Sequence, residues 1–103
     1  MKKNIAIIMG GYSDEYQISL KSGSVVLNYL DKEKYNTYPI HIYKNKWVFV
    51  DENDAETPVD KTDFSINVNG NKVTFDCVFN AIHGTPGEDG YMQAYFELMD
   101  IPQ

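Results

Sequence analysis

The sequence predicts a three-layer α/β domain with a mainly parallel sheet and an added β-hairpin. Three observations carry that prediction. Ile5-Ala6-Ile7-Ile8-Met9 is an uninterrupted apolar run. A strand that is apolar on both faces belongs in the middle of a covered parallel sheet. A helical stretch from Glu15 to Leu30 and a second strand from Tyr35 to Tyr43 follow it, which makes a βαβ unit that should cross over right-handed. Asn69-Gly70 sits between the alternating runs 65–68 and 71–75, and Asn-Gly in that setting is the strongest short-range hairpin signal.

The elements follow in order. Gly10-Gly11 breaks the first strand. In the helix, Ile18, Val25, Val26 and Tyr29 recur at helical spacing, as do Leu20, Leu27 and Leu30. Asp14 followed by Gln17 forms a capping-box pattern at its start. Ser22 and Gly23 are poor helix formers, and close packing of the helix on the sheet accounts for them. In the second strand Tyr38, Ile40 and Ile42 share one face. Pro39 cannot donate to a ladder, which places this strand at an edge. Trp47-Val48-Phe49-Val50 reads as a short hairpin strand, and the acidic stretch Asp51 to Asp63 as a loop. Cys77 to Ile82 is a third parallel-type strand. His83 to Gly90 is a glycine-rich loop, and Tyr91 to Met99 a short helix with Met92, Tyr95, Phe96 and Met99 on one side. Ile101-Pro102-Gln103 looks like the approach to another strand. Residues 1–103 therefore read as one domain severed from a longer protein.

Composition narrows the function. Hydrophobic residues make up 43% and charged residues 23% of the chain, an ordinary globular balance. The net charge of -6 argues against nucleic acid and against an anionic membrane surface as partner. All nine basic residues are lysine, so a bidentate guanidinium grip on a carboxylate or phosphate must come from elsewhere. Cys77, the single cysteine, can form no internal disulfide and points to a reducing compartment. No apolar run nears the roughly 20 residues of a membrane span. The apolar run after Asn4 is too short for the core of a signal peptide. The expectation is a cytoplasmic protein.

Two loops leave the C-terminal ends of apolar strands, where open α/β sheets bind their ligands. In the first, Gly10-Gly11-Tyr12-Ser13-Asp14-Glu15, the glycines allow backbone conformations that a Cβ forbids. The helix start beyond them carries free N–H groups and a positive dipole end. Glu15 in that position stays ionised and suits gripping an ammonium group; alternatively it only complements the dipole. The second loop is His83-Gly84-Thr85-Pro86-Gly87-Glu88-Asp89-Gly90. His83 can donate to a substrate carboxylate while Glu88 orients its ring. The same residues also suit a capped turn with His83 in a backbone hydrogen bond. Their spacing matches no strong metal-ligand pattern, so no metal site is expected. His41 reads as a surface or edge side chain and Cys77 as an inert core thiol. Gly10-Gly11 does not complete a dinucleotide fingerprint, and no phosphate-binding P-loop motif occurs.

Taken together, the two loops resemble those of D-alanine–D-alanine ligases. Gly10-Gly11-Tyr12-Ser13-Asp14-Glu15, running on into Ile18-Ser19-Leu20-Lys21-Ser22, is similar to that family's first signature. His83-Gly84-Thr85-Pro86-Gly87-Glu88-Asp89-Gly90 with Gln93 is similar to its second. The middle of the chain adds nothing to the likeness, and Tyr16 and Gln17 stand where many members carry charge. The resemblance implies a Rossmann-like domain of the kind that precedes an ATP-grasp domain. It implies a ligase of peptidoglycan precursor synthesis that uses ATP and Mg2+ (or Mn2+), bound by other parts of the protein. It also implies that Glu15 holds the ammonium of the first D-alanine, Ile18 lies against its methyl group, and His83 contacts its carboxyl end. Glu88 supports His83, and Gly10 and Gly11 lend backbone N–H groups. D-alanine, the rest of the same chain and, commonly in the family, a second copy are the implied partners. The 103-residue chain alone is expected to fold, to show no turnover, and to bind D-alanine no tighter than about millimolar, since a half-site must offset roughly 4–15 kcal/mol of lost freedom. Two other readings compete: a small nucleotide- or cofactor-binding α/β domain, and a non-enzymatic response-regulator-like module, for which Gly10-Gly11 supplies no acidic pocket.

Overall fold

In the computed structural model, the structure describes residues 2–10, 16–43, 45–81 and 91–103, apart from the side chains of residues 16–19, 22, 91 and 92. The first strand is β1 (Lys3–Gly10), and α1 (Tyr16–Tyr29) and β2 (Tyr35–Ile42) complete the expected βαβ unit. After these come β3 (Trp47–Val50), β4 (Glu56–Pro58), β5 (Ile66–Val68), β6 (Asn71–Val73), β7 (Cys77–Asn80) and α2 (Tyr91–Leu98). Five strands form one sheet in the order β4-β3-β2-β1-β7, and β5 and β6 form a separate hairpin. β1 pairs in parallel with both β2 and β7. β3 and β4 extend the sheet in antiparallel fashion beyond β2. The sheet is thus mixed, with a parallel half around β1.

The apolar run finds the place its composition demands. Ala6, Ile7, Ile8 and Met9 are all buried, because β1 has strands on both sides and cover on both faces. On one face Ala6, Ile8, Ile40, Ile42 and Val78 join Trp47, Phe64, Ile66, Phe75 and Phe96 in a single cluster. This brings the hairpin and α2 over that face. Ile7 and Met9 alternate to the other face, where α1 lies. A Cβ on Gly23 would sit 2.6 Å from Met9 Cε and 3.0 Å from Met9 Cβ. Gly23 is therefore the close helix–sheet approach its presence in the helix suggests.

The hairpin turn at Asn69 and Gly70 has φ of 53° and 82°, the pair of positive values a type I′ turn needs. Two features differ from the sequence reading. First, β2 is not an edge strand. It lies between β1 and β3, and Pro39 is accommodated because β3 pairs only with Ile40, His41 and Ile42. At Pro39 the β3 side carries no ladder to interrupt. Second, the stretch 51–63 is not all loop. Glu56–Pro58 forms the true edge strand, and a proline ends it, as edges allow. In α1, Val25 and Tyr29 are exposed, so only Leu20, Gly23, Val26 and Leu27 of the described helix positions, with Leu30 just beyond its end, turn inward to any degree.

Candidate functional site

β1 and β7 determine where the two candidate loops begin. β7 is tied to β1 along its length: Asp76 N–H donates to the Asn4 carbonyl at 2.9 Å, and Ala81 N–H to the Ile8 carbonyl at 2.9 Å. Ile8 stands opposite Asn80 in the register. The chain therefore leaves β1 at Gly10 and β7 at Ala81 from neighbouring positions at the same end of the sheet. β2 lies on one side of β1 and β7 on the other, with α1 and α2 on opposite faces. This is the strand-order reversal at which a crevice opens beyond the carboxyl ends of the strands.

Gly10 is the described residue of the first loop, and the structure explains it. Its φ is +97°, and a Cβ there would lie 2.8 Å from the Ile42 carbonyl oxygen. Both the backbone conformation and the approach of β2 demand glycine. Among the described residues, Ile42 is a contributor that the sequence reading placed on a strand face and not at the site. Ile18 lies within α1, one turn from its start, and its side chain is outside the described residues. Gly11, Glu15, His83 and Glu88 lie outside the described residues altogether, as do Asp14 and the side chain of Gln17. The strand ends that carry these side chains are thus fixed as neighbours, while the facing of Glu15 and His83 remains an expectation of the sequence reading.

The other titratable candidates are structural. His41 is not a surface or edge residue. It is half-buried in the paired part of β2, with Nδ1 3.1 Å from the Tyr43 hydroxyl. Burial lowers its pKa, against the opposing pull of Glu56 and Asp54. Cys77 is partly exposed rather than a fully buried thiol. The Tyr95 hydroxyl donates to the Lys61 carbonyl at 2.5 Å. Burial, then Asp63 and Asp60, pushes its pKa up to about 12, so it remains a neutral donor. Among the described residues no group of three or more His, Cys, Asp or Glu is arranged to hold a metal ion.

A cleft of about 750 Å³ opens elsewhere, lined among others by Leu27, Lys32, Pro39, Phe49, Asp51 and Asn69. It marks the gap where β2 and β3 separate before Ile40. Among the described residues its lining does not include Gly10, and its charged groups are Lys32, Asp51 and Glu52. The chemistry of the two loops outweighs it.

Comparison with known proteins agrees with the loops. Residues 4–103 match the family model described as D-ala D-ala ligase N-terminus. A D-alanine–D-alanine ligase of Flavobacterium johnsoniae is 74% identical over 101 residues, covering 98% of this chain and 31% of the relative. The solved VanG D-Ala:D-Ser ligase of Enterococcus faecalis superimposes with a TM-score of 0.82 at 30% identity, over 99% of this chain and 35% of that one. A Bacillus anthracis D-alanine–D-alanine ligase solved in complex with ATP gives a TM-score of 0.66 at 30% identity, over 99% and 27%. The chain thus spans about a third of the length of the relatives it matches.

Proposed function

We propose, from the premise that this chain belongs to the D-alanine–D-alanine ligase N-terminal family, that it is the amino-terminal domain of a ligase joining two D-alanines. In that enzyme it supplies the site of the first D-alanine. The observation that carries the reading is the adjacency of Gly10 and Ala81 at the strand-order reversal, because it starts both signature loops from one end of the sheet.

Each residue then has a chemical task. The Glu15 carboxylate, kept ionised by the start of α1, accepts hydrogen bonds from the substrate ammonium. Ile18, about one turn further on, packs against the methyl group. His83 donates to the carboxyl end, and Glu88 holds its ring. Gly10 and Gly11 let backbone N–H groups approach the reacting carboxyl group. ATP, with Mg2+ or Mn2+, supplies the phosphoryl group that makes the carboxyl carbon of the first D-alanine open to attack by the amine of the second. A chain without arginine leaves any guanidinium grip on the phosphoryl groups of ATP to the remainder of the protein. The choice of D-alanine, D-lactate or D-serine as second substrate falls there too. The product serves peptidoglycan synthesis in the cytoplasm.

The test uses the full-length protein. Glu15→Gln keeps the shape and removes the charge. A hydrogen bond to a charged group is worth roughly 1.5–3 kcal/mol, so KM for the first D-alanine should rise by about one to two decades. The midpoint of unfolding should barely move, since a dipole-complementing charge contributes only about 0.3–1 kcal/mol. An unchanged KM removes Glu15 from the site. Global unfolding of the variant would return it to a capping role.

A further inference from the structure

Two side chains at the end of β2 have no task in the proposed site. The His41 Nδ1 lies 3.1 Å from the Tyr43 hydroxyl. Tyr43 is also held from β3 and β4. Its N–H donates to the Lys46 carbonyl at 2.8 Å. The Lys46 ammonium stands 5.4 Å from the Tyr43 ring centroid and 2.8 Å from the Glu56 carboxylate. A continuous series of contacts therefore runs from the edge strand to His41.

The register sets this pair beside the first signature loop. His41 stands opposite Met9 and Ile42 opposite Gly10, so Tyr43 leaves β2 where the loop leaves β1. His41 shares a face of the sheet with Met9, against which Gly23 of α1 packs. α1 lies on β1 and β2 and begins at Tyr16. At 1.5 Å per residue, that start lies about 10 Å beyond Gly23, towards the carboxyl ends of both strands. The His41–Tyr43 pair is thus on the side of the sheet, and at the end of it, where α1 starts.

We propose that the hydrogen-bonded pair His41–Tyr43 positions the start of α1, and through it the Glu15 carboxylate that receives the ammonium of the first D-alanine. The proposal rests on the functional reading above. A neutral ring with its proton on Nε2 accepts the Tyr43 hydroxyl at Nδ1. Protonation makes Nδ1 a donor and reverses that bond. Burial lowers the His41 pKa, opposed by the facing carboxylates Glu56 and Asp54, so the reversal comes below about pH 6.5. Met9 and Val48, its partners on β1 and β3, carry no charge.

Steady-state kinetics of the full-length ligase test this, with Glu15→Gln run alongside. Tyr43→Phe keeps the ring against Lys46 and removes the hydroxyl. KM for the first D-alanine should rise about three- to tenfold, the effect of one neutral hydrogen bond, while kcat and KM for the second stay within about twofold. His41→Leu removes the acceptor and should match it, and the double variant should do no worse than either single. His41→Gln supplies an acceptor that does not titrate. It should keep the parent's KM at neutral pH and lose the parent's steeper fall in kcat/KM below about pH 6.5, which a purely structural role would not move. If Glu15→Gln raises KM while Tyr43→Phe and His41→Leu leave it unchanged, the proposal is overturned. Additive single variants, or kcat and both KM values moving together, overturn it equally. If Glu15→Gln also leaves KM unchanged, the functional reading is what fails.

Discussion

The two faces of the sheet are built by different means. The face under α2 and the hairpin is an aromatic interior. Phe64 meets Phe96 with ring centroids 4.8 Å apart, Phe75 at 5.3 Å, Tyr95 at 5.9 Å and Trp47 at 6.4 Å. Lys61 covers the Trp47 ring at 4.6 Å, and Tyr38 links Phe75 to Phe49. Among the described residues the α1 face has no such network. It includes the close approach of Gly23 to Met9, and at β7 it leaves Phe79 half exposed. The difference teaches that the aromatic packing and the two signature loops occupy separate stretches of the chain. The aromatic core comes mostly from residues 38–75, outside the two signature loops. The loops that carry the likeness flank β1 and β7.

The sharpest way to break this contrast is at Phe64, which is fully buried with a positive φ of 52°. Only the packing of its ring holds a bulky residue in that conformation. Phe64→Ala should cost about 3–5 kcal/mol, a large part of the roughly 5–15 kcal/mol a domain possesses, read as a fall in the urea midpoint. A loss under 1 kcal/mol would mean that the aromatic face does not dominate.

A smaller effect is expected on the opposite face. Gly23→Ala drives a methyl into Met9, itself only 1% exposed, and overpacking of this kind costs about 1–3 kcal/mol. Met9→Val should recover part of it, because the clash is with the Met9 side chain. Strict additivity in the double-mutant cycle would show that helix and sheet do not touch there.

The smallest effect is a pH dependence. Burial lowers the pKa of His41 in the fold, so above the ordinary value near 6.5 both folded and unfolded forms are neutral and stability is full. As pH falls below that value the unfolded chain takes up the proton first, and stability is lost until the folded pKa is passed. His41→Gln should flatten the fall in thermal stability as pH drops below about 6.5. An unchanged slope in that range assigns the dependence to other groups.

Much of this architecture is legible in the sequence, for stated reasons. The apolar run of β1 could only be central, Asn69-Gly70 could only turn, and Gly23 in a helix implied contact. Pro39 misled because a missing N–H excludes a partner at one position and on one side, not along a whole strand. β4 left no trace, since Glu56-Thr57-Pro58 has neither alternation nor apolar weight. The apolar stripe of α1 was read too broadly: both series of apolar residues fit helical spacing, and only packing tells that Val25 and Tyr29 face outward. At the candidate site the motif residues were legible, and the adjacency of their strands followed from parallel topology. The need for glycine at position 10 was foreseen; that the Ile42 carbonyl imposes it was not, because that contact joins residues far apart in sequence.

The central claim is that the crevice beyond β1 and β7 holds the first D-alanine. A crystal structure of the full-length protein with D-alanine tests it most directly. The account predicts D-alanine between the two loops, with its ammonium about 3 Å from a Glu15 carboxylate oxygen and its carboxyl group at His83. D-alanine seated instead in the cleft beside Lys32, Pro39 and Asp51, with the crevice empty, would contradict it.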